Sequence, residues 1–434
     1  MLIFYHLRTF LGKLYSVFTK PTQYIFQCFV MGWILCPGRK VITAIMRLGD
    51  FRGLKSHDRF HAFFSDTVWC LHKFFRVWAT IVVSSFAQTG ALYTCGDDTV
   101  HKKTGRKVAG AKFCRDAVRS TKSHVVHVWG LQIVLLCLIL RPPWGGETLA
   151  IPINMRLYRK RIKDEGPTIL DLMREMLRDL ALWFPKRKVY FISDGFYAPM
   201  ARDEIPFVEL ISRIRADAAI YENPPAKQPH QRGAPRKKGA RLPTPQDMAK
   251  KIPAKHWKLV ETYERGTVRK RLVFSRQVLW YKVQPHKPIL LVISRDPEEI
   301  EKEDFFFSTD LSLDPAMLIS FFADRWGIGD TFRNAKQFLG IEEPQSWKEP
   351  GPEKVAAFEY YLYGLVWLSY IQRETHDPLP KMPWYQGKTK PSFQDALAEI
   401  RMRMWSQRFI QSVYDNLHLQ KFNMMLMETL AHAA

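Results

Sequence analysis

Apolar positions recur at helical spacing through residues 1 to about 90, where Phe and Trp are frequent, and this part reads as helical. From about residue 91 the period changes. "ALYTCGDDT" predicts a short strand ending in acids, "HVVHVWGLQIVLLCLIL" a strand region with a fully buried run from Ile133 to Leu140, and "ETLAIPINMRLY" another strand. "TILDLMREMLRDLALWF" places Ile169, Leu172, Met173, Met176, Leu177 and Leu180 at helical spacing, with Thr168 as N-cap after Pro167. "KVYFISDGF" predicts a strand that again ends in an acid, "FVELISRIR" a helix, and "AAIY" a short strand. Three strands followed by helix, strand, helix and strand predict a mixed α/β sheet.

Residues 222 to about 255 break the pattern: "NPPAKQPHQRGAPRKKGARLPTPQ" is rich in Pro, Gly and basic residues and has no period, so it reads as a loop. Six basic residues lie between Lys227 and Arg241 with no acid among them, Arg236, Lys237 and Lys238 in a row. Such a loop either tracks phosphates or is simply solvated. After it, "KLVETYERGTVRKRLVF", "QVLWYKVQ" and "PILLVISR" predict strands with turns between them, a β-rich insertion. A final helical section starts near Asp314, with a helix over 321–340, a second near Val355 to Ile371 and a third from Phe393. The chain thus divides into 1–90, 91–221, 222–313 and 314–434.

The helix predicted over "FFADRWGIGDTFRNAKQFLG" has an unusual stripe. At about 100° per residue, Phe322, Arg325, Gly329, Arg333 and Lys336 share one narrow face. Phe321, Ile328, Phe332, Ala335 and Leu339 form the adjoining apolar face. Glycine in a helix interior costs about 1 kcal/mol relative to alanine, so Gly329 asks for a reason.

Charge changes the picture more than composition does. The 434 residues can bury a full core in two or three structural units, and hydrophobic content is ordinary. The net charge of +23 points to a polyanion, either nucleic acid or an acidic membrane surface. Residues 1–90 alone carry 11 Lys or Arg against three Asp and no Glu. That unit suits contact with a DNA backbone, or it packs on the core with a solvated basic face; no helix-turn-helix spacing stands out. All six cysteines, from Cys28 to Cys137, precede residue 140 with no C-x-x-C pair, which argues against zinc. No signal peptide is evident and the apolar runs are interrupted or too short to span a bilayer, so a reducing cytosol is expected.

Two carboxylates stand out by position. Asp98 follows a buried strand and precedes Thr99; Asp194 ends "VYFISD". Each alone would be a strand-end turn residue. If the two strands are neighbours, the carboxylates converge and repel, and a divalent cation relieves the repulsion. Oxygen ligands favour magnesium, with manganese as the alternative, and two such ions would activate a water and stabilise the leaving oxygen of a phosphodiester.

The stretches "CGDDTVHKKTGRKVAG", "RDAVRSTKSH", "VYFISDGFY" and "RWGIGDTFRNAKQFLG" resemble the DDE transposases of bacterial insertion sequences, in the group whose last motif runs Tyr-x2-Arg-x3-Glu-x6-Lys. The resemblance covers roughly residues 30–410, with motif order and spacing in agreement. It implies a ribonuclease H-like mixed sheet holding Asp, Asp and Glu around two magnesium ions, a β-rich insertion before the Glu, and cut-and-paste transposition through DNA hairpin ends. It implies double-stranded DNA, both transposon ends and target, as partner, a homodimer on that DNA, no membrane, and a bacterial cytoplasmic, nucleoid-associated setting. Position by position, the first acid is Asp98 rather than Asp97, because the family's ligand directly precedes Thr. The second is Asp194, the signature Arg is Arg325 and the signature Lys is Lys336. The family's Tyr is Phe322, which keeps the ring and loses the hydroxyl.

The family's Glu falls on Gly329. Asp330 is the alternative third acid, one residue on and so about 100° round the helix, and one methylene shorter. Asp324 points farther away. The resemblance therefore implies an impaired site on a DNA-binding scaffold, with Phe322, Arg325, Arg333, Lys336, Arg236, Lys237 and Lys238 as candidate DNA contacts. Two readings follow: a transposase that cuts and joins DNA, or a repressor-like DNA-binding protein that no longer cuts. A basic protein on an anionic membrane is disfavoured, because no long basic amphipathic helix stands apart from a core.

Overall fold

The computed structural model describes residues 2–50, 53–116, 119–121, 123–161, 165–225, 234–373 and 387–414. Five helices open the chain: α1 (Leu2–Leu14), α2 (Lys20–Leu35), α3 (Ile42–Gly49), α4 (His57–Ser65) and α5 (Leu71–Phe86). Their aromatic residues face inward. Phe26 and Phe29 each pack edge-on against Phe358, with ring centroids 6.0 Å apart. The buried indole N–H groups of Trp33 and Trp78 donate to the carbonyls of Leu339 (2.9 Å) and Pro152 (2.8 Å), far along the chain. The N-terminal unit is therefore built into the core, with Arg8, Lys13, Lys20 and Arg39 left on its surface.

Next come β1 (Leu92–Lys102), β2 (Lys112–Arg115), β3 (His127–Leu140), β4 (Leu149–Tyr158), α6 (Ile169–Trp183), β5 (Val189–Ile192) and β6 (Val208–Arg213). β3 pairs antiparallel with β1, β2 and β4, whereas β1, β5 and β6 run parallel. An antiparallel meander, a helix and two parallel strands make the ribonuclease H-like order. Thr168 caps α6 with a capping box, its side chain accepting from Asp171 N at 3.2 Å while the Asp171 carboxylate accepts from Thr168 N at 2.8 Å.

The β-rich insertion carries α7 (Pro245–Lys251), β7 (Lys258–Glu264), β8 (Thr267–Val278), β9 (Ile289–Arg295) and β10 (Asp304–Ser308). It extends the same sheet, because β10 pairs with β6; the order across the sheet is β2-β3-β1-β5-β6-β10-β9-β8-β7, with β4 on β3. Among the described residues four helices follow the insertion: α8 (Pro315–Asp324), α9 (Gly327–Phe338), α10 (Gly351–Ile371) and α11 (Phe393–Tyr414). Every residue of α10 from Lys354 to Tyr370 is buried, so its sequence is apolar nearly all round.

Several sequence expectations change. "QVLWYKVQ" is not a strand of its own but the end of β8 and a turn, and α7 falls within the stretch read as loop. "FVELISRIR" is not a helix but holds β6, whose Leu210 and Ile211 are buried on opposite faces of the sheet; a short apolar run does not declare its own period. "AAIY" forms only isolated bridges at Tyr221. The stretch 321–340 is not one helix but the end of α8 and all of α9, joined at Arg325 and Trp326.

Candidate active site

The site is built on the pairing of β1 with β5. Cys95 pairs with Ile192 in parallel register, and Tyr93 with Tyr190; these two rings stack with centroids 5.5 Å apart and planes 5° apart. Residues paired in this way share a face, and alternation then carries Asp97 and Asp194 to that same face, two residues beyond Cys95 and Ile192. Asp194 continues in extended conformation and caps the following 3-10 helix, its Oδ1 accepting from Phe196 N at 3.0 Å. α8 covers this face. Phe321 lies on Tyr93 at 4.4 Å between centroids, and Arg325 brings Nη1 to 3.6 Å from Asp97 Oδ2.

Asp98 sits on the other face. β1 runs in unbroken register with β3 from Thr94 to Lys102, so no bulge rotates the pair. Asp98 accepts a hydrogen bond from Gln132 Nε2 at 2.7 Å. Gly96, on the same side, approaches Met173 of α6 and Phe191 so closely that a Cβ would overlap both. The structure thus separates the two adjacent acids: Asp97 shares Asp194's face and meets Arg325, whereas Asp98 lies on the α6 side. The physical reason is the two-residue period of a strand, which a motif of adjacent acids does not reveal.

Electrostatics tie all three carboxylates into one cluster. Burial, then repulsion from Asp194, pushes the Asp97 carboxyl up to about 6. Burial also raises Asp98, with Asp194 adding to it and the Gln132 hydrogen bond opposing. The buried Tyr197 hydroxyl has no hydrogen-bond partner among the described residues, and burial and all three carboxylates hold its pKa well up.

The remaining candidates fall differently from the predicted stripe. Successive 3-10 bonds run from Arg325 N to Phe322 O (3.3 Å), Trp326 N to Ala323 O (3.3 Å), Ile328 N to Arg325 O (3.1 Å) and Gly329 N to Trp326 O (3.0 Å). Such a turn advances about 120° per residue, so the 100° projection fails across it. Phe322 is core, 4 % exposed and packed on Phe306 at 4.7 Å, with its ring at the floor of a groove beside Trp326. Lys336 Nζ donates to Val100 O at 2.9 Å and lies 3.7 Å from Glu342. Arg333 is exposed but paired with Asp330 at 2.6 Å. That pairing also engages the alternative third acid, and Asp324 is taken by Arg141 at 3.1 Å. Among the described residues no three His, Cys, Asp or Glu side chains converge closely enough to hold a metal ion.

The two glycines of "GIG" differ. Gly327 lets the chain approach β4, since a Cβ there would lie 2.6 Å from Thr148 O. Gly329 is exposed and a Cβ would meet nothing within 4 Å, so packing gives no reason for it. In the basic loop, Lys227 and Arg232 lie outside the described residues. Arg236 and Lys237 are exposed, and Lys238 Nζ sits over the Tyr221 and Tyr281 rings at 4.4 and 5.2 Å. Sequence reasoning passed over Trp326. It is exposed, flanked by the guanidinium groups of Arg265 at 4.6 Å and Arg325 at 5.3 Å, and it borders a groove of about 230 Å³ that also takes in Arg213 and Arg271. The cue available was an aromatic between basic residues.

A family model described as DDE superfamily endonuclease matches residues 13–273, well over half of the chain and inclusive of all three clustered aspartates. The chain belongs to the DDE superfamily of endonucleases. Superfamily nucleases generally use divalent metals, and the carboxylates gathered here offer oxygen donors of the kind a hard cation takes. A cryo-EM structure of the piggyBac transposase synaptic complex with hairpin DNA is similar at 10 % identity, covering 96 % of this chain and 76 % of that chain with a TM-score of 0.45. No curated protein matches the sequence. No helix among the described residues is long and apolar enough to cross a membrane.

Proposed function

We propose that this DDE endonuclease is a transposase of the insertion-sequence kind that binds mobile-element ends, with Asp97 and Asp194 as the carboxylates that hold magnesium or manganese. The observation that carries the proposal is the shared face of Asp97 and Asp194, with Arg325 Nη1 at 3.6 Å from Asp97. A divalent cation held there supplies an activated water and charge stabilisation at the leaving oxygen of a phosphodiester. The chain's own residues do the rest. Arg325 holds positive charge beside the carboxylates, and its buried Nε lacks a partner among the described residues, which leaves a donor for a phosphate oxygen. Gln132 orients Asp98, which stays on the α6 side as a neighbouring negative charge. Trp326 offers an aromatic surface between the guanidinium groups of Arg265 and Arg325, a combination on which a base of single-stranded or distorted DNA can stack, beside a groove whose Arg213 and Arg271 are paired with Asp304, Glu264 and Glu301.

Nicking of DNA that carries the element's ends, in manganese, tests this. Asp97→Asn and Asp194→Asn should each abolish cleavage, and Asp98→Asn should retain most of it. Loss with Asp98→Asn and retention with Asp97→Asn overturns the assignment. A second reading is favoured by one observation: Gly329 has no side chain where the resemblance expects Glu, and Asp330 is engaged by Arg333. On that reading the protein binds ends without cutting them. Retarded DNA mobility with no nicking at any manganese concentration is the outcome that selects it.

A further inference from the structure

α4 presents two imidazoles one helical turn apart on its solvent side. His57 and His61 have ring centroids 4.2 Å apart and face each other through Nε2 atoms separated by 2.9 Å. Two neutral imidazoles at that distance can share one proton. The same distance is also a chelating bite. Two metal–nitrogen bonds of about 2.05 Å meeting at a right angle put the nitrogens about 2.9 Å apart, and at the tetrahedral angle about 3.3 Å.

Two further features make the pair a site. His57 Nδ1 lies 3.7 Å from Asp58 Oδ1, so a carboxylate stands at the remote ring nitrogen. At that separation the contact is electrostatic and not a hydrogen bond, and it adds negative charge beside the ring for a bound cation. The opposite side of α4 is fixed: Phe60, Phe63 and Phe64 are fully or nearly fully buried, and Phe64 packs on Phe358 of α10 at 5.7 Å. The backbone that spaces the two histidines is therefore anchored, and chelation requires no rearrangement of it.

We propose that His57 and His61 form a bidentate site for a borderline transition-metal cation, with water completing the coordination. The right-angle bite suits the square-planar or octahedral preferences of Cu²⁺ and Ni²⁺ better than tetrahedral Zn²⁺, and the Irving–Williams order favours copper over both. This site is separate in chemistry from the carboxylate cluster, whose oxygen donors suit hard cations. Bound metal cross-links successive turns of α4 and stabilises the nine-residue helix, and with it the N-terminal unit.

The test uses the full chain, stripped with a chelator, and Ni²⁺ followed by calorimetry. The wild-type protein should bind Ni²⁺ at a site whose affinity falls at least about tenfold in both His57→Gln and His61→Gln, since losing a ligand exceeds the ~10–100-fold effect of losing an outer-sphere partner. Ni²⁺ should raise the melting temperature of the wild type and of Asp97→Asn, and of neither histidine variant. The Cu²⁺-loaded wild type should show two-nitrogen hyperfine structure by electron paramagnetic resonance, a readout that needs no variant. Affinity unchanged in either single variant, or a one-nitrogen copper spectrum, overturns the chelate.

Discussion

Replacing Gly329 by Glu tests the position where the resemblance expects the third acid. Gly329 is the third residue of α9, and a side chain there enters open space. α9 is bracketed along β1: Arg325, just before it, reaches Asp97, and Lys336, near its end, donates to Val100 O at 2.9 Å. A carboxylate at 329 therefore enters the stretch between them. Its effect on the fold should be favourable. Gly→Glu in a helix gains about 0.5–1 kcal/mol, and an acid in the first turn adds about 0.3–1 kcal/mol. With an unfolding entropy of about 2.1 cal/mol/K per residue, a chain of this length should melt roughly 1–2 °C higher. The effect on metal affinity should be larger. Unit charges about 4 Å apart at an effective dielectric of 20 interact by about 4 kcal/mol. If desolvation cancels two-thirds of that, about 1.4 kcal/mol remains, a tenfold gain. Calorimetric titration of Mn²⁺ in the presence of DNA reads the gain, and nicking of end-bearing DNA reads its consequence. A raised melting temperature with unchanged Mn²⁺ affinity would place residue 329 off the acidic face. Abolition of existing cleavage by Asp330→Ala, with nothing added by Gly329→Glu, would make Asp330 the third acid despite its pairing with Arg333.

Three other predictions follow from groups already placed. Asp97, raised to about 6 from an ordinary 3.8, gives stability that is fully present below about pH 4 and lost as pH rises through 6. The full shift would be about 3 kcal/mol, but with 30 % of the side chain exposed, screening leaves about 1 kcal/mol. Asp97→Asn should therefore gain on the wild type between pH 4 and pH 7 in metal-free chemical denaturation, and parallel profiles would show that burial and the charge of Asp194 do not raise this carboxyl. Glu359 is 1 % exposed with neither carboxyl oxygen bonded among the described residues, and burial raises its pKa well above the ordinary value. Wild-type stability should fall as pH rises through that pKa while Glu359→Gln stays level; matching profiles at pH 5 and pH 9 would show the carboxylate ionised and compensated by Lys103. In the basic loop, Arg236 and Lys237 are exposed while Lys238 rests on two tyrosine rings. Arg236→Ala with Lys237→Ala should flatten the slope of log affinity against log salt by about 1.8, whereas Lys238→Ala alone should change it by less than about 0.9; an unchanged slope in the double variant makes the loop a solvated linker.

What the sequence made legible was local or strongly periodic. Thr168 announced its helix because the capping box is made within four residues, and the Ile133–Leu140 run declared a buried strand by its length and apolarity. β6 was misread because its identity depends on hydrogen bonds to β5 and β10, and its own residues suit either period. The stripe through Arg325, Gly329 and Lys336 failed for a similar reason. The tight turn at Trp326 is accommodated by the approach of Gly327 to Thr148 O, a contact with β4 nearly 180 positions earlier in the chain.

The two aspartates of "CGDD" show how far such reasoning reaches. Sequence places them together at a strand, and both feel the charge of Asp194. It does not assign their faces, because adjacent residues on a strand point oppositely and the assignment rests on which one lies level with Asp194. That level is set by the Cys95–Ile192 pair, and hence by where β5 begins after α6. A slip of β5 by one residue would turn Asp194 to the α6 side, level with Asp98, and leave Asp97 beside Arg325 on the α8 side. The stacked Tyr93 and Tyr190 rings oppose that slip, since moving β5 by one residue would bring Phe191 or Val189 beneath Tyr93 and turn the Tyr190 ring away. Tyr190 is pinned in turn by its hydroxyl, which donates to Asp310 Oδ2 at 2.7 Å, with Lys188 Nζ donating to the same oxygen. The register that sets which carboxylate lies level with Asp194 is thus held by an aromatic pair and a buried acid that the acidic motif alone does not connect to it.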